Sequence, residues 1–235
     1  MSTRFYHATP IAAERVTLDG PEAHHLLHVG RAVAGQGVTL FDGSGAEYAA
    51  VIEKLGRRAV ELRIVERIDA NRELPYTLTV GVALPKGDRQ KWLVEKLTEL
   101  GVTTLVPLVT ERGVAQPSTG ALERLHRGVI EASKQCGRNR LMRIANPQAW
   151  SEWVSERPEA SGERRLLAHP DGLPVGDIDL ASPRPTCVSV GPEGGYTDAE
   201  VAAATAAGWQ KISLGPRILR VETAAVALAA AIALR

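Results

Sequence analysis

Two glycine-containing loops near the carboxyl end carry the residues best suited to bind a ligand. Residues 188–200 read as a buried strand, the loop Gly-Pro-Glu-Gly-Gly and a helix that begins at Thr197, where Thr197 and Glu200 have the spacing of a capping box. In open parallel sheets, ligands bind beyond the carboxyl ends of strands, where glycines let the backbone approach them closely. The loop matches neither GxGxxG nor GxxxxGK[ST], so considered alone it is equally well explained as a tight turn.

Residues 212–223 repeat this arrangement with a strand, a Gly-Pro turn, a loop and a long helix. Ile218 and Leu219 are unusual for a solvent-facing loop and suit a pocket for an apolar or aromatic ligand group. The two arginines of the loop, Arg217 and Arg220, have the chemistry to meet a phosphate or to polarise a carbonyl. They have an alternative role as surface salt bridges to Glu193 and Glu222, and both explanations stay open. Two such loops close together predict the walls of one pocket.

The elements that position these loops form an alternating pattern from Tyr76 onward. Residues 78–84 and 103–109 read as strands, and residues 88–100 between them read as a helix. Apolar residues spaced by three and four predict an amphipathic helix over residues 119–136 that ends at Gly137. Further strands are predicted at 166–169, 187–190 and 211–214. This pattern predicts an α/β domain with a mostly parallel sheet.

The first 70 residues have a different pattern, of short strands separated by turn residues. Strands are predicted at 15–18, 37–41, 47–53 and 60–65, with one short helix at 21–29. A small β-barrel is the simplest arrangement of these elements. Residues 71–75 are polar, end in proline and suit a linker. We therefore predict a barrel domain at 1–70 and an α/β domain at 76–235.

Bulk composition limits the class of protein. Of 235 residues, 44% are hydrophobic and 23% are charged, which is typical of folded globular domains. The two cysteines match neither a disulfide framework nor a zinc site, so a reducing, cytoplasmic location is expected. The amino end lacks the features of a signal peptide, and the apolar run at 224–234 is far shorter than the roughly 20 residues of a membrane span. We expect no membrane role.

Charge is distributed unevenly along the chain. The formal net charge is only +1, but residues 119–143 contain six basic and two acidic residues. Charge distribution can matter more than the net charge, and this local excess requires an explanation. The histidines His24, His25 and His28 include an i, i+4 pair, but no HExxH motif or cysteine pair accompanies them, so no metal site is expected. The four tryptophans are dispersed and are interpreted mainly as core or interface residues.

Several separated segments, in order, resemble one family. They are RFYH, HHLLHVGR, VTLFDG, LPKGDRQKWLVEKLTELGV, EASKQCGRNR, VGPEGGYTDAE and ISLGPRILRVETAA. Together they resemble the RsmE family, the 16S ribosomal RNA uracil-1498 N3-methyltransferases of the SPOUT superfamily. The resemblance implies a PUA-like barrel followed by an α/β methyltransferase domain whose carboxyl-terminal chain forms a trefoil knot. It also implies a homodimer.

The resemblance implies specific residues for the methyl donor, S-adenosylmethionine. The cofactor would lie against three segments, at Leu167 and His169, at Gly191, Glu193 and Gly195, and at Leu214, Ile218, Leu219 and Arg220. The reaction would be displacement at the methyl carbon by uracil N3. Arg220 would stabilise charge on the ring oxygens and is the tentative catalytic residue. Glu193 and Glu222 are chemically suited to accept the N3 proton, and the acceptor stays open.

The resemblance also implies an RNA surface on both domains, in the small ribosomal subunit. Its residues lie in segments that match family motifs, namely Arg4, His24, Arg31, Lys86, Arg89, Gln135, Arg138 and Arg140. For each of them a solvated surface residue is the alternative explanation. Rival functions are a SPOUT methyltransferase acting on another RNA site, a non-catalytic RNA-binding assembly factor and, more distantly, a nucleotide-dependent oxidoreductase. A donor-binding measurement separates the first two.

Overall fold

A computed structural model describes residues 4–113, 118–155 and 162–234. Contacts divide the chain into two units. The first runs up to Glu73 and includes Ile130–Leu141, and the second comprises Leu74–Val129 and the chain from Met142 onward. The inclusion of Ile130–Leu141 in the first unit was not predicted from the sequence. We call these the barrel unit and the α/β unit.

The barrel unit contains one five-stranded sheet. Its strands are β1 (Arg4–Tyr6), β2 (Arg15–Leu18), β3 (Gly37–Phe41), β4 (Glu47–Leu55) and β5 (Val60–Ile68). They lie in the order β1-β3-β4-β5-β2. The β1/β3 pair is parallel, and the other pairs are antiparallel. The predicted bounds of β2 and β3 are confirmed, β4 and β5 extend further, and β1 was not predicted. The core includes the fully buried Leu40, Val60 and Leu62.

The helix predicted at 21–29 has two parts. It begins as the short helix α1 (Gly20–His24) and continues as a π-helical turn over His25–Val29. The backbone N–H of Gly30 donates to the carbonyl of His25 at 2.8 Å, five residues earlier, which defines the wider turn. The sequence therefore predicted the helical segment but not its change of pitch.

The α/β unit contains a seven-stranded sheet. Its strands are β6 (Leu78–Val82), β7 (Thr104–Val109), β8 (Arg143–Ile144), β9 (Gln148–Ala149), β10 (Arg164–Pro174), β11 (Thr186–Val190) and β12 (Gln210–Ser213). The order is β12-β10-β11-β6-β7-β8, and β9 pairs with β7. Every strand pair recorded among the described residues of this sheet is parallel, which confirms the predicted α/β class.

Five α-helices are described after β6, and the second of them passes from the α/β unit into the barrel unit at Ile130. They are α2 (Arg89–Glu99), α3 (Thr119–Cys136), α4 (Trp150–Ser155), α5 (Asp198–Ala206) and α6 (Val221–Ala233). The predicted bounds of α3 are confirmed, and its apolar face buries Leu125, Val129 and Ala132. Trp150 and Trp153 of α4 are buried together with Trp209, which confirms a core role for these three tryptophans. Among the described residues, no helix combines the length and apolar character needed to cross a membrane.

Strand β10 is irregular where it pairs with β12. Ala168 and Leu173 both lie opposite Ile212, so the four residues between them leave the ladder. Within that excursion Gly172 packs directly against the backbone of Ile212, where an added Cβ would overlap the N, Cα and C atoms of Ile212. A glycine is required at this crossing because the obstructing atoms are backbone and cannot rotate away.

Candidate functional site

Three of the predicted site segments meet at one edge of the parallel sheet. Strands β12, β10 and β11 are neighbours in the sheet order. Because they are parallel, their carboxyl ends lie at the same edge, and so do the loops that follow them. The loops after β11 and β12 carry predicted donor-binding residues, whereas Leu167 and His169 lie within β10, where Leu167 pairs with Ser189 just before the end of β11. The sequence had placed both loops after strands but could not give the order of the strands.

The loop after β11 is built around a buried tyrosine. A Cβ at Gly191 would lie 2.9 Å from the ring of Tyr196, so glycine allows the loop to fold over this ring. The Tyr196 hydroxyl and Ser189 Oγ are 2.6 Å apart, and Trp150 Nε1 donates to the same Ser189 Oγ at 3.1 Å. Burial raises the pKa of Tyr196, so this hydroxyl stays protonated. The buried hydrogen bonds hold the base of the loop.

The outer part of this loop is braced by the segment after β7, which the sequence analysis did not identify. Arg112 Nη1 donates to the carbonyls of Gly194 at 3.0 Å and of Tyr196 at 3.4 Å. The backbone N–H of Glu111 donates to Glu200 at 3.0 Å. The predicted capping box of Thr197 and Glu200 is confirmed at the start of α5. The glycine loop is thus fixed at both its ends.

The loop after β12 presents an apolar surface and two arginines. Ile218 is 83% exposed, whereas Leu214 and Leu219 are partly buried. An exposed branched aliphatic side chain in a loop suits a site that an apolar ligand group covers. Arg220 is the N-cap residue of α6, and its carbonyl accepts the N–H of Ala224 at 2.9 Å. Its side chain is exposed.

The predicted alternative pairing of the two loop arginines is wrong. Glu193 accepts a hydrogen bond from Arg89 Nη1 at 2.8 Å, and the same nitrogen lies 3.7 Å from Glu222 Oε2. Within the described part of the chain, neither Arg217 nor Arg220 forms an ion pair. Arg89 therefore links the glycine loop to the first turn of α6. The positive charges of Arg217 and Arg220 have no ion-pair partner among the described residues and are available to a ligand.

The third predicted segment lies within β10 and contributes in a different way. The side chain of Leu167 is fully buried in the core, so only its backbone is available to a ligand. His169 is partly exposed, and its Nδ1 accepts the N–H of Asp171 at 3.2 Å. In the loop after β11, Gly195 has a φ of 69°, and nothing lies within 4 Å of the Cβ position, which leaves open space beside its backbone.

The predicted RNA-contact residues fall into two groups. The first group has exposed side chains and comprises His24, Arg31, Lys86, Gln135 and Arg140. Arg31 has a φ of 49°, an uncommon conformation for a residue with a side chain. The rings of His24 and His28 lie 4.7 Å apart. No group of three or more metal-ligating side chains is present among the described residues.

The second group, Arg4, Arg89 and Arg138, is held in ion pairs within the chain, and the partner of Arg89 is Glu193. Arg138 is 4% exposed, and its guanidinium donates to both oxygens of Glu73, with Nη2 to Oε2 at 2.6 Å. Arg4 Nη1 donates to Glu47 at 2.6 Å. Lys134, which contributes to the basic excess of residues 119–143, is buried against Glu22 at 2.9 Å. Part of that excess is thus explained by internal pairing, and we leave Arg4 and Arg138 out of the RNA surface proposed below.

Glu47 makes the barrel unit sensitive to acid. The hydrogen bond from Arg72, followed by that from Arg4, lowers the pKa of Glu47 from 4.5 to about 2, against the opposing effect of burial. A lowered carboxyl pKa stabilises the fold above the ordinary pKa, and this contribution is lost as the pH falls toward the lowered value. We expect the free energy of unfolding to lose about 2 kcal/mol between pH 5 and pH 2 through this group.

Urea unfolding of the wild type and of Glu47→Gln at pH 7 and pH 3 tests this expectation. The variant should be less stable at pH 7 and should lose less stability on acidification than the wild type. Glu61→Gln is the control, because Glu61 is a 54% exposed carboxylate on β5. Equal acid sensitivity of wild type and Glu47→Gln would contradict the assignment.

Comparisons with known proteins match both units. Residues 72–233 match an RNA methyltransferase domain family, and residues 18–65 match an RNA methyltransferase PUA domain family. The chain is 37% identical over 220 residues to a ribosomal RNA small subunit methyltransferase E of Synechocystis sp., covering 91% of this chain and 71% of the relative. It is 29% identical over 224 residues to the protein of the same name in Bacillus subtilis, covering 90% and 87%.

A solved structure extends the comparison to three dimensions. The crystal structure of a ribosomal RNA small subunit methyltransferase E from Neisseria gonorrhoeae, bound to S-adenosyl methionine, superposes with a TM-score of 0.87. It is 33% identical in sequence, and the match covers 97% of this chain and 95% of that one. The similarity therefore spans both units.

Proposed function

Because the chain belongs to the ribosomal RNA small subunit methyltransferase E family, we propose that it transfers the methyl group of S-adenosylmethionine to N3 of uridine 1498 in 16S ribosomal RNA. Membership confirms the family resemblance and the fold class, a PUA-like barrel followed by a SPOUT methyltransferase domain. The chain is thus an RNA methyltransferase.

One observation supports the donor site more than any other. The loops after β11 and β12 lie at the same edge of the sheet, on strands that both neighbour β10, and they offer an exposed apolar side chain, Ile218, and open space beside the Gly195 backbone. These features fit a ligand with both apolar and polar parts. The proposed donor contacts are those predicted from sequence, with Leu167 contributing backbone only, namely Leu167, His169, Gly191, Glu193, Gly195, Leu214, Ile218, Leu219 and Arg220.

The protein's part in the reaction is to position the uracil nitrogen and to stabilise the negative charge that develops on the uracil ring. S-adenosylmethionine, when bound, supplies an already activated methyl group. The chain has to hold the uracil nitrogen in line with that group, which alone accounts for a large part of a rate enhancement. N3 becomes nucleophilic as its proton leaves, so negative charge grows on the ring oxygens. Arg220, exposed at the start of α6 and without a carboxylate partner among the described residues, is placed to donate to such an oxygen.

We further propose that the barrel domain at 1–70, joined through the linker 71–75 to the methyltransferase domain at 76–235, helps to bind the small ribosomal subunit. Its exposed basic and polar side chains suit phosphate contacts. We propose a cytoplasmic homodimer. Trp92 of α2 (42% exposed) and Leu234 (77% exposed) are large apolar side chains that such an interface would cover.

Methyl transfer tests the proposed function. The purified chain is incubated with labelled S-adenosylmethionine and with small ribosomal subunits from a strain that lacks the modification. We expect label in 16S ribosomal RNA and none when the subunits are already modified. If the chain binds the donor but does not methylate the subunits, another RNA is its substrate. If the chain does not bind the donor, the assembly-factor function is favoured.

A further inference from the structure

One arginine at the start of α2 is shared by two segments that follow the loop-bearing strands. Arg89 Nη1 donates to Glu193 Oε1, in the loop after β11, at 2.8 Å. The same nitrogen lies 3.7 Å from Glu222 Oε2, in the first turn of α6. The loop after β12 leads directly into α6, whose N-cap residue is Arg220. We call the loops after β11 and β12 the donor loops, and Arg89 joins the first of them to the helix that continues the second.

The two carboxylates beside Arg89 differ in burial. The side chain of Glu193 is 55% exposed, whereas that of Glu222 is 8% exposed. Among the described residues, no hydrogen-bond donor meets Glu222 Oε2, and Arg89 is the only cation within 4 Å of this carboxylate. A buried carboxylate without a counter-charge is costly. Arg89 therefore compensates the buried charge of Glu222 and at the same time binds the exposed charge of Glu193.

The surroundings of Arg89 do not suit the RNA contact that the family resemblance implies for it. Arg89, Glu193 and Glu222 together carry a net charge of −1, from one positive and two negative side chains. Phosphate binding draws on positive charge that is not already neutralised by carboxylates. The guanidinium of Arg89 is also committed at Nη1, the nitrogen that donates to Glu193. These contacts indicate a role within the α/β unit.

The fold of the loop after β11 does not depend on Arg89. Arg112 holds the backbone of this loop, because it donates to the carbonyls of Gly194 and Tyr196. The ring of Tyr196 is buried at the base of the loop. Arg89 instead holds the side chain of Glu193, which is one of the proposed donor contacts. Removal of Arg89 is therefore expected to release the Glu193 carboxylate while the loop backbone keeps its conformation.

We propose that Arg89 is a positioning residue for the methyl donor, acting through Glu193 on the loop after β11 and through Glu222 on the start of α6. The proposal rests on the proposed function and replaces the RNA contact expected for Arg89. The guanidinium fixes the Glu193 carboxylate where the donor binds. It also holds the first turn of α6, and with it Arg220 at the N-cap, in place before RNA binds.

Arg89→Met tests this role, because it removes the charge and keeps most of the apolar length of the side chain. The dissociation constant of S-adenosylmethionine, measured by calorimetry without RNA, should rise about 10-fold, as expected when a charge-assisted hydrogen bond is lost. In transfer assays the KM for the donor should rise, while the KM for small subunits should stay within about twofold of the wild type. Arg89→Lys keeps the charge and should recover part of the donor affinity.

A second variant separates loss of position from loss of stability, because Arg89→Met leaves Glu222 buried without its counter-charge. Arg89→Met/Glu222→Gln removes that uncompensated charge. Its urea midpoint should be higher than that of Arg89→Met, but its donor affinity should stay low because the bond to Glu193 is still missing. Lys91→Met is the matched control, since it removes one positive charge from an exposed position of α2 and should change neither property.

Three results would overturn the proposal. The first is a donor dissociation constant for Arg89→Met within about twofold of the wild type. The second is full recovery of donor affinity in the double variant, because instability alone would then explain the loss. The third is unchanged donor affinity with a shallower salt dependence of binding to small subunits, which would restore the RNA contact. Failure of the wild type to bind the donor would count against the proposed function instead, so failure of the proposal and failure of the proposed function are distinguishable.

Discussion

Replacing Gly172 by alanine is expected to lower the free energy of unfolding of the α/β unit by about 3 kcal/mol, the upper end for overpacked sites. The added Cβ would overlap backbone atoms of Ile212 where β10 crosses β12. Since backbone atoms cannot change rotamer, the two strands must separate to make room. The same strands end at the proposed donor loops, so donor affinity should fall together with stability.

Gly176→Ala is the matched control for this prediction. Gly176 lies in the short turn Val175–Asp177 just after β10, and nothing lies within 4 Å of its Cβ position. Urea unfolding and calorimetric titration with S-adenosylmethionine should show a large effect for Gly172→Ala and a small one for Gly176→Ala. Similar stability of both variants would show that the crossing of β10 and β12 is looser than the structure indicates.

Replacing Arg138 by methionine is expected to lower the free energy of unfolding by about 3 kcal/mol, as is typical when one member of a buried ion pair is removed. Glu73, which is 17% exposed at its side chain, would keep its charge without a partner. The loss would fall on the barrel unit, to which Ile130–Leu141 belongs. RNA affinity should change only to the extent that the folded population changes.

The comparison variant is Arg124→Met, because Arg124 is an exposed arginine of α3. It should unfold at nearly the same urea concentration as the wild type. A stable Arg138→Met protein with strongly reduced affinity for small subunits would contradict the structural role and restore the original prediction that Arg138 contacts RNA.

The sequence predicted the bounds of strands and helices well where local residue patterns determine them. The bounds of β2, β3 and α3 are confirmed, since alternation, turn residues and helical spacing are local signals. Strand β1 has only three residues and is defined by its parallel pairing with β3, which is more than thirty residues away. Strand β10 was predicted to end at His169. Its continuation to Pro174 depends on β12, which no local pattern reveals.

The same contrast between local signals and long-range contacts holds for the candidate site. The two glycine loops and the capping box at Thr197 were evident from residue types and spacing. The roles of Arg4 and Arg138 were not, because their partners Glu47 and Glu73 lie 43 and 65 residues away. Arg112 carried no signal of its own, since nothing in the sequence places the end of β7 beside the glycine loop. The family resemblance indicated the reaction, and only the structure showed which charged side chains are already held in ion pairs.

The identity of the methylated product tests the proposed function most directly. Small subunits that lack the modification are incubated with the chain and S-adenosylmethionine, and the ribosomal RNA is digested and mapped by mass spectrometry. The proposed function predicts one new methyl group, on N3 of uridine 1498. A methyl group on another atom or another nucleotide, with the donor bound and consumed, would contradict it.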